Sequence, residues 1–406
     1  MKHKILAIII FWVFHNTCLR GQKVWTLTDC ISYGRTHSQR ALELGILKEN
    51  FYEMQKQTSS GYAPIVSGIY NAGLSNTSAT TYSYLNQFGF QISQDLTSII
   101  KISHQKKQLN FRIAQNDENI SFAQNAVEEA TLRAYIQALT TKEQLGIFRN
   151  YKEKTERLMI EKLPDIKSFL DALAQQDALN IAEASRAYET TLLQIRQIIN
   201  LDSVTNFEIA PLQIYDNLKS EVDEVLKKAI SIDPFINNIK YGILIAGRDI
   251  QLAMQDNWPR INLLYQTFYL KENNTSGIQH FFGLNINIPI LNKRDIKTRI
   301  RIAKINERFQ KKRLSNALQN LEDAIQLNLE QLKNAKIVYA ESIKSAKRNK
   351  AEYENACQQF VSKKLQSGEF LAIRNQAIQE ELRMVNAKYT VILNAKLLDF
   401  SIGTTL

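Results

Sequence analysis

The chain has 406 residues, with 51 Lys and Arg against 40 Asp and Glu, a formal charge of +11, 44% hydrophobic residues, and only 14 Gly, 6 Pro and three Cys. An apolar share of this size is ordinary for a folded protein, so few Gly and Pro favour long helices over many loops, and the Cys form no metal or disulfide pattern. The basic residues fall in pairs and short runs (Lys106-Lys107, Lys227-Lys228, Lys311-Lys312-Arg313, Lys363-Lys364), as solvated helix faces do, not in a block that would mark a nucleic-acid partner.

Residues 1–21 read as a secretory signal. Lys2 and Lys4 precede the apolar run Ile5–Phe14, which is too short to span a bilayer as a helix. Leu19 and Gly21 fit the −3 and −1 places of cleavage, and His15-Asn16-Thr17 before Cys18 make a poor lipidation signal. Cleavage removes Lys2, Lys4 and Arg20 and no acid, which leaves +8. No other stretch reaches ~18 uncharged apolar residues, so no transmembrane helix is expected.

Past the signal the chain divides into a first repeat (22–200), a linker (201–221) that carries Pro211, and a second repeat (222–406). Gly61-Tyr62-Ala63-Pro64-Ile65 corresponds to Asn257-Trp258-Pro259-Arg260-Ile261, and Phe88-Gly89-Phe90-Gln91-Ile92 to Phe282-Gly283-Leu284-Asn285-Ile286. The offsets are 195 residues from Pro64 to Pro259 and 194 from Gly89 to Gly283, a duplicated half-protein and not a solenoid unit. Each half begins with a helix, about 38–58 and 233–256.

Strands are expected at about 64–74, 84–94, 260–270 and 280–290, each close to the ~9–11 residues of a tilted membrane crossing. Phe88, Phe90 and Ile92 alternate with Gln, Gly and Ser; Phe282, Leu284, Ile286 and Ile288 alternate with Gly and Asn. Such alternation sets one face in an apolar medium and the other in water, so these seven are the expected lipid-facing residues. Tyr62, Tyr82, Tyr84, Trp258, Tyr269 and Phe281 near the strand ends fit interfacial girdles. The connections 75–83 and 271–279, rich in Ser, Thr, Asn and Gly, are expected as outer loops. Four strands cannot close a barrel, and three copies give twelve.

Long helices follow over 96–162 and 293–364, with apolar residues at coiled-coil spacing (Ile120, Ala123, Val127; Leu314, Leu318, Leu321, Ile325). Each is ~100 Å long at 1.5 Å per residue, which suits a projecting tube. Breaks at Leu163-Pro164-Asp165 and Gln366-Ser367-Gly368 lead to return helices over 168–200 and 369–401. The fold class is mainly α with a membrane β part: a trimer in which a 12-stranded β-barrel continues into an α-barrel. Cys30 and Cys357 are expected as free thiols, since this layout keeps them far apart.

No nucleophile motif, Gly-rich phosphate loop or metal cluster occurs, and His37, His104 and His280 are far apart in sequence. The expectation is a passive duct: no enzyme, no catalytic residue, no cofactor and no metal. The alternative, an exported periplasmic coiled-coil structural or adaptor protein without a channel, accounts for the helices but not for two strand pairs with aromatic ends.

The order helix, strand, strand, long helix, hairpin, return helix, given twice, resembles the TolC-like outer-membrane efflux proteins. Trp25-Thr26-Leu27-Thr28-Asp29-Cys30-Ile31 looks like that family's mature start, and Phe282 to Leu291 resembles its second strand with the apolar-Pro-apolar step. Ala387-Lys388-Tyr389 and Gly403 look like its closing helix. The resemblance implies a homotrimer in outer-membrane lipid, with a 12-helix tube in the periplasm. It implies service as the exit duct of a tripartite efflux pump or type I secretion system, with a periplasmic adaptor (membrane fusion) protein and an inner-membrane pump as partners.

It also implies that the hairpin tips dock the adaptor, through Lys162, Leu163, Pro164, Lys363, Lys364, Leu365 and Gly368, and that Glu369 and Asp171 narrow the entrance. The tips depart from the family pattern. Lys363 stands at the family's Gly place, Lys162-Leu163-Pro164 replaces the first Gly region, and Ser168 stands where an acid is usual.

Overall fold

The computed structural model describes residues 24–78, 81–160, 167–202, 207–212, 222–272, 275–288 and 293–403. In chain order these form β1 (Val24–Trp25), α1 (Leu27–His37), α2 (Gln39–Ser60), β2 (Ile65–Ser78), β3 (Thr81–Asp95), α3 (Ser98–Ile160) and α4 (Lys167–Ile198). There follow β4 (Glu208–Ile209), α5 (Val222–Ile232), α6 (Pro234–Gln255), β5 (Arg260–Glu272), β6 (Thr275–Asn287), α7 (Lys293–Val361) and α8 (Ser367–Ser401). The secretory signal, Cys18 and the tip residues Lys162, Leu163 and Pro164 lie outside the described residues.

The duplication reaches further than the sequence motifs. Shifting α1, α2 and the starts of β2 and α3 by 195 residues lands on α5, α6 and the starts of β5 and α7.

The chain resolves into two compact units. The sheet-bearing unit is Glu43–Ile120 with Pro234–Gln319. Its strands are ordered β2-β3-β5-β6, every neighbour antiparallel, with β2 and β6 at the edges. The strands are longer than expected. The segments read as outer loops are largely ladder: Ser75 pairs with Ser83, Asn76 with Tyr82, Lys271 with Ser276 and Glu272 with Thr275. Polar composition marks a turn only through specific backbone chemistry, and Ser, Thr and Tyr otherwise take β geometry readily. At the other end β6 stops at Asn287, two residues short of Pro289, which has no N–H to give a ladder.

The helical unit is Met1–Leu42, Ser121–Asp233 and Asn320–Leu406. One core gathers Trp25, Leu27, Cys30 and Ile31 against Leu132, Tyr135 and Ile136 of α3 and Ile195 of α4. A second joins Tyr151 and Leu158 of α3, Leu170 and Leu173 of α4, Tyr353 and Phe360 of α7, and Phe370 and Ala377 of α8. A third sets Val225 and Ala229 of α5 against Ile325 and Leu332 of α7 and Leu398 of α8. Neither Cys30 nor Cys357 is in a disulfide.

Three features were not read from the sequence. The helix α1 opens on a capping box: Asp29 N–H donates to Thr26 Oγ1 at 3.1 Å, and Thr26 N–H donates to Asp29 Oδ2 at 3.0 Å. The helix α5 precedes Pro234, which opens α6 at the first helical position, where proline fits. In the stretch read as a linker, β4 pairs in parallel with β1. The Tyr135 hydroxyl seals that pair, donating toward the carbonyl oxygens of Ala210 at 2.6 Å and Trp25 at 3.0 Å.

Candidate functional site

Cross-strand partners in an antiparallel sheet project to the same face. Phe88 stands opposite Tyr70 and Tyr269, Phe90 opposite Gly68 and Thr267, and Ile92 opposite Val66 and Tyr265. On β6, Phe282, Leu284 and Ile286 stand opposite Tyr265, Leu263 and Ile261. The register therefore gathers six of the seven expected lipid-facing residues on one side, and all six are exposed in the chain; Ile288, also exposed, follows the last strand residue. His280 also lies on this face, opposite Thr267, and its Nδ1 is 3.2 Å from the Tyr265 hydroxyl.

The reverse face carries amides. Gln266 Nε2 donates to Gln91 Oε1 at 2.7 Å, Asn71 Nδ2 donates to Gln87 Oε1 at 3.4 Å, and Asn262 stands opposite Asn285. It also holds the two motif glycines, for different reasons. A Cβ on Gly89 would lie 2.1 Å from the Thr267 carbonyl oxygen and 2.5 Å from Phe268 Cα, so only glycine fits there. A Cβ on Gly283 would meet the Phe281 ring, at 2.6 Å from Cζ, a side chain that can turn away.

In the helical unit, α7 ends in a Schellman motif. Lys364 N–H donates to Gln359 O at 2.9 Å, Lys363 N–H donates to Phe360 O at 3.1 Å, and Lys363 takes φ +56°, the left-handed region that favours glycine. Sequence comparison within the resemblance gave Lys363 the Gly place, and the backbone explains why that place wants glycine. The break falls earlier than the expected Gln366-Ser367-Gly368. The turn is 362–366, and Gly368 is the second residue of α8, because Gln366 already has the extended backbone of an N-cap (φ −78°, ψ 152°). Phe360 stacks on Phe370 at 4.3 Å between centroids, and Phe169 of α4 lies 5.8 Å from Phe360. Lys363, Lys364, Gly368 and Glu369 are exposed around this aromatic plug, and Leu365 is half-buried against it. Asp171, on the neighbouring first turns of α4, is exposed as well.

Behind the plug is a polar cluster that the sequence did not announce. Arg374 of α8 and Asp177 of α4 form an ion pair at 2.5 Å, with side chains 1% and 2% exposed. Thr155 Oγ1 of α3 donates to Asp177 Oδ2 at 2.9 Å. The Arg374 guanidinium lies 5.6 Å from the centre of the Tyr151 ring, and the Tyr151 hydroxyl donates to Glu381 Oε1 at 3.3 Å. Burial, and next the Glu381 carboxylate, push the Tyr151 phenol up, so it remains a donor. Three helices are thus tied by buried charge. Arg374 and Asp177 fall on helix faces that carry mixed residues, and no short motif couples positions 197 residues apart.

Among the described residues no three His, Cys, Asp or Glu side chains are grouped so as to hold a metal. No helix among them is long and apolar enough to cross a membrane.

No protein-family model and no curated protein matches the sequence. Solved structures do. The chain is similar to the CmeC outer membrane channel of Campylobacter jejuni, at 15% identity and TM-score 0.77, over 93% of this chain and 85% of that one. It is similar to the open state of the MtrE outer membrane channel of Neisseria gonorrhoeae, at 15% identity and TM-score 0.72, over 93% and 89%. It is also similar to the outer membrane protein VceC of Vibrio cholerae, at 11% identity and TM-score 0.72, over 93% and 96%. At such identities the likeness is one of fold. The single chain, mostly helical with a few strands, has the fold of these outer-membrane channels.

Proposed function

We propose that this protein is the outer-membrane exit duct of a tripartite efflux pump or type I secretion system, a passive channel from the periplasm or the pump to the exterior. The observation that carries this reading is the four-stranded sheet, with one exposed apolar face, one amide-bearing face and two unpaired edges. In lipid each unpaired backbone group costs several kcal/mol, so β6 of one copy pairs with β2 of the next until the sheet closes. Three copies supply twelve strands, beyond the ~8 of the smallest membrane barrels. Uncovered apolar stripes on the helices support the same assembly. Ile302, Ile305 and Phe309 of α7 repeat at coiled-coil spacing and are 61%, 49% and 61% exposed. Leu42 and Ile46 of α2 are exposed one turn apart.

In this reading Phe88, Phe90, Ile92, Phe282, Leu284, Ile286 and Ile288 face lipid. The helices extend into the periplasm as a 12-helix tube, and the segments Lys162-Leu163-Pro164 and Lys363 to Gly368 dock a periplasmic adaptor linked to an inner-membrane pump. Three-fold symmetry makes rings of Glu369 and Asp171, which favour cations at the entrance. The chain works without catalytic residues or a cofactor.

The test is fractionation with heated and unheated gels, followed by planar-bilayer recording. The expected result is an outer-membrane, heat-sensitive trimer whose cation preference falls in Glu369→Gln with Asp171→Asn. A soluble periplasmic species removes the duct, and unchanged selectivity in an inserted double variant removes the acidic ring.

A further inference from the structure

The apolar face of the sheet is not flat. On β2, Gly68 sits between Val66 and Tyr70 on that face, and a Cβ placed there meets nothing within 4 Å. The gap is the floor of a groove of about 540 Å³, walled by Tyr70, Phe88, Phe90 and Tyr269 and ending at Lys271. Phe88 and Tyr269 brace one another, with ring centroids 6.0 Å apart. The volume falls within the ~300–1,000 Å³ of ordinary ligand sites.

We propose that this groove seats one acyl chain of a membrane lipid whose anionic phosphate headgroup pairs with Lys271. The inference rests on the reading of this face as lipid-facing and adds a specific occupant to it. The lining is mostly aromatic along the groove, and its polar groups, Asn86 and the opposite Lys271, gather at one end. Lys271 pairs with Ser276, one step from the hairpin end where Glu272 pairs with Thr275. Thr267, opposite Phe90, lies four residues away along β5, which is roughly 13 Å. A charge at the strand end with an apolar trough beneath it matches a lipid that has its phosphate at the membrane surface and its chain below. The long stem of lysine lets the ammonium reach that surface.

The experiment reconstitutes the full chain in vesicles of phosphatidylcholine and phosphatidylglycerol at 4:1, extracts it in mild detergent and counts retained lipids by native mass spectrometry. Wild type should retain phosphatidylglycerol and phosphatidylcholine in a ratio about fivefold above that of the vesicle, the preference that one cation near an anionic surface gives. Lys271→Gln should return the ratio to that of the vesicle without reducing the number of lipids retained. Gly68→Val, a residue that suits a strand, should fill the floor and remove one lipid per chain, and Gly68→Ala serves if the valine variant does not insert. Wild type without phosphatidylglycerol preference, or a filled groove that keeps its full lipid count, overturns the inference. A wild-type chain that fails to enter vesicles overturns the lipid-facing reading itself, and is told apart by the absence of any vesicle-bound protein.

Discussion

Breaking the ion pair between Asp177 and Arg374 is the sharpest perturbation of the helical unit. Both side chains are almost wholly out of water, and Asp177 also accepts from Thr155. In Asp177→Ala the guanidinium stays buried beside the Tyr151 ring without its paired carboxylate, while the Thr155 hydroxyl keeps the Tyr151 carbonyl oxygen as acceptor at 3.0 Å. Removing one partner of a buried pair costs about 3–5 kcal/mol, most of it the penalty of the orphaned charge. The paired change Asp177→Leu with Arg374→Met removes both charges at similar volume, and should lie within roughly 1–2 kcal/mol of wild type or above it. Urea unfolding of the three proteins, followed by helical signal, makes the comparison. The midpoint of Asp177→Ala should fall far below that of the double variant, with slopes alike. A single variant as stable as wild type to within ~0.5 kcal/mol, the range of ordinary surface changes, would refute the buried charge as a tie between α3, α4 and α8.

The two motif glycines should respond differently. Gly89→Ala drives a methyl into backbone and should abolish correctly assembled sheet, whereas Gly283→Ala asks only that the Phe281 ring rotate and should still assemble; heat-modified gel mobility separates the two. Lys363→Gly should raise stability by up to ~1 kcal/mol, seen as a higher urea midpoint, because it relieves a left-handed L-residue. Arg35→Met leaves Glu128 without the cation now 3.1 Å away. Burial already raises the Glu128 carboxyl, and Arg35 opposes it. The variant should therefore lose roughly 1–2 kcal/mol at pH 7. A carboxyl raised in the folded state binds its proton more tightly there than when unfolded, so part of that loss returns as pH falls toward 4.5, its ordinary value. Urea midpoints at pH 7 and pH 5 check the sign.

Much of the fold was legible because its signals are periodic or local. Phe88, Phe90 and Ile92 alternate strictly, Pro64 and Pro259 mark one duplicated entry point, and α3 and α7 lack any interior proline. What stayed hidden depends on partners far along the chain. The β1–β4 pair is two residues long on each side, below any periodic signal, and the Tyr135 hydroxyl that bonds to its end comes from far along the chain. The helix α5 was within reach, since the 195-residue offset that aligns the prolines also places α1 on it. The capping box Thr26-x-x-Asp29 was a second missed local sign. At the second hairpin, Gly368 drew the break to itself as a helix breaker, while the left-handed residue proved to be Lys363, where sequence propensity points the other way. The buried charges Asp177 and Arg374 look like surface residues in sequence, because only tertiary packing decides which polar groups lose water.

The most direct measurement is electron cryomicroscopy of the full chain in lipid nanodiscs. The account predicts a three-fold particle whose membrane density holds twelve strands, with β6 of each copy paired to β2 of the next and Phe90 and Leu284 turned toward lipid. A particle of one or two copies, or three copies whose sheets stay open with the apolar faces turned inward, would contradict it.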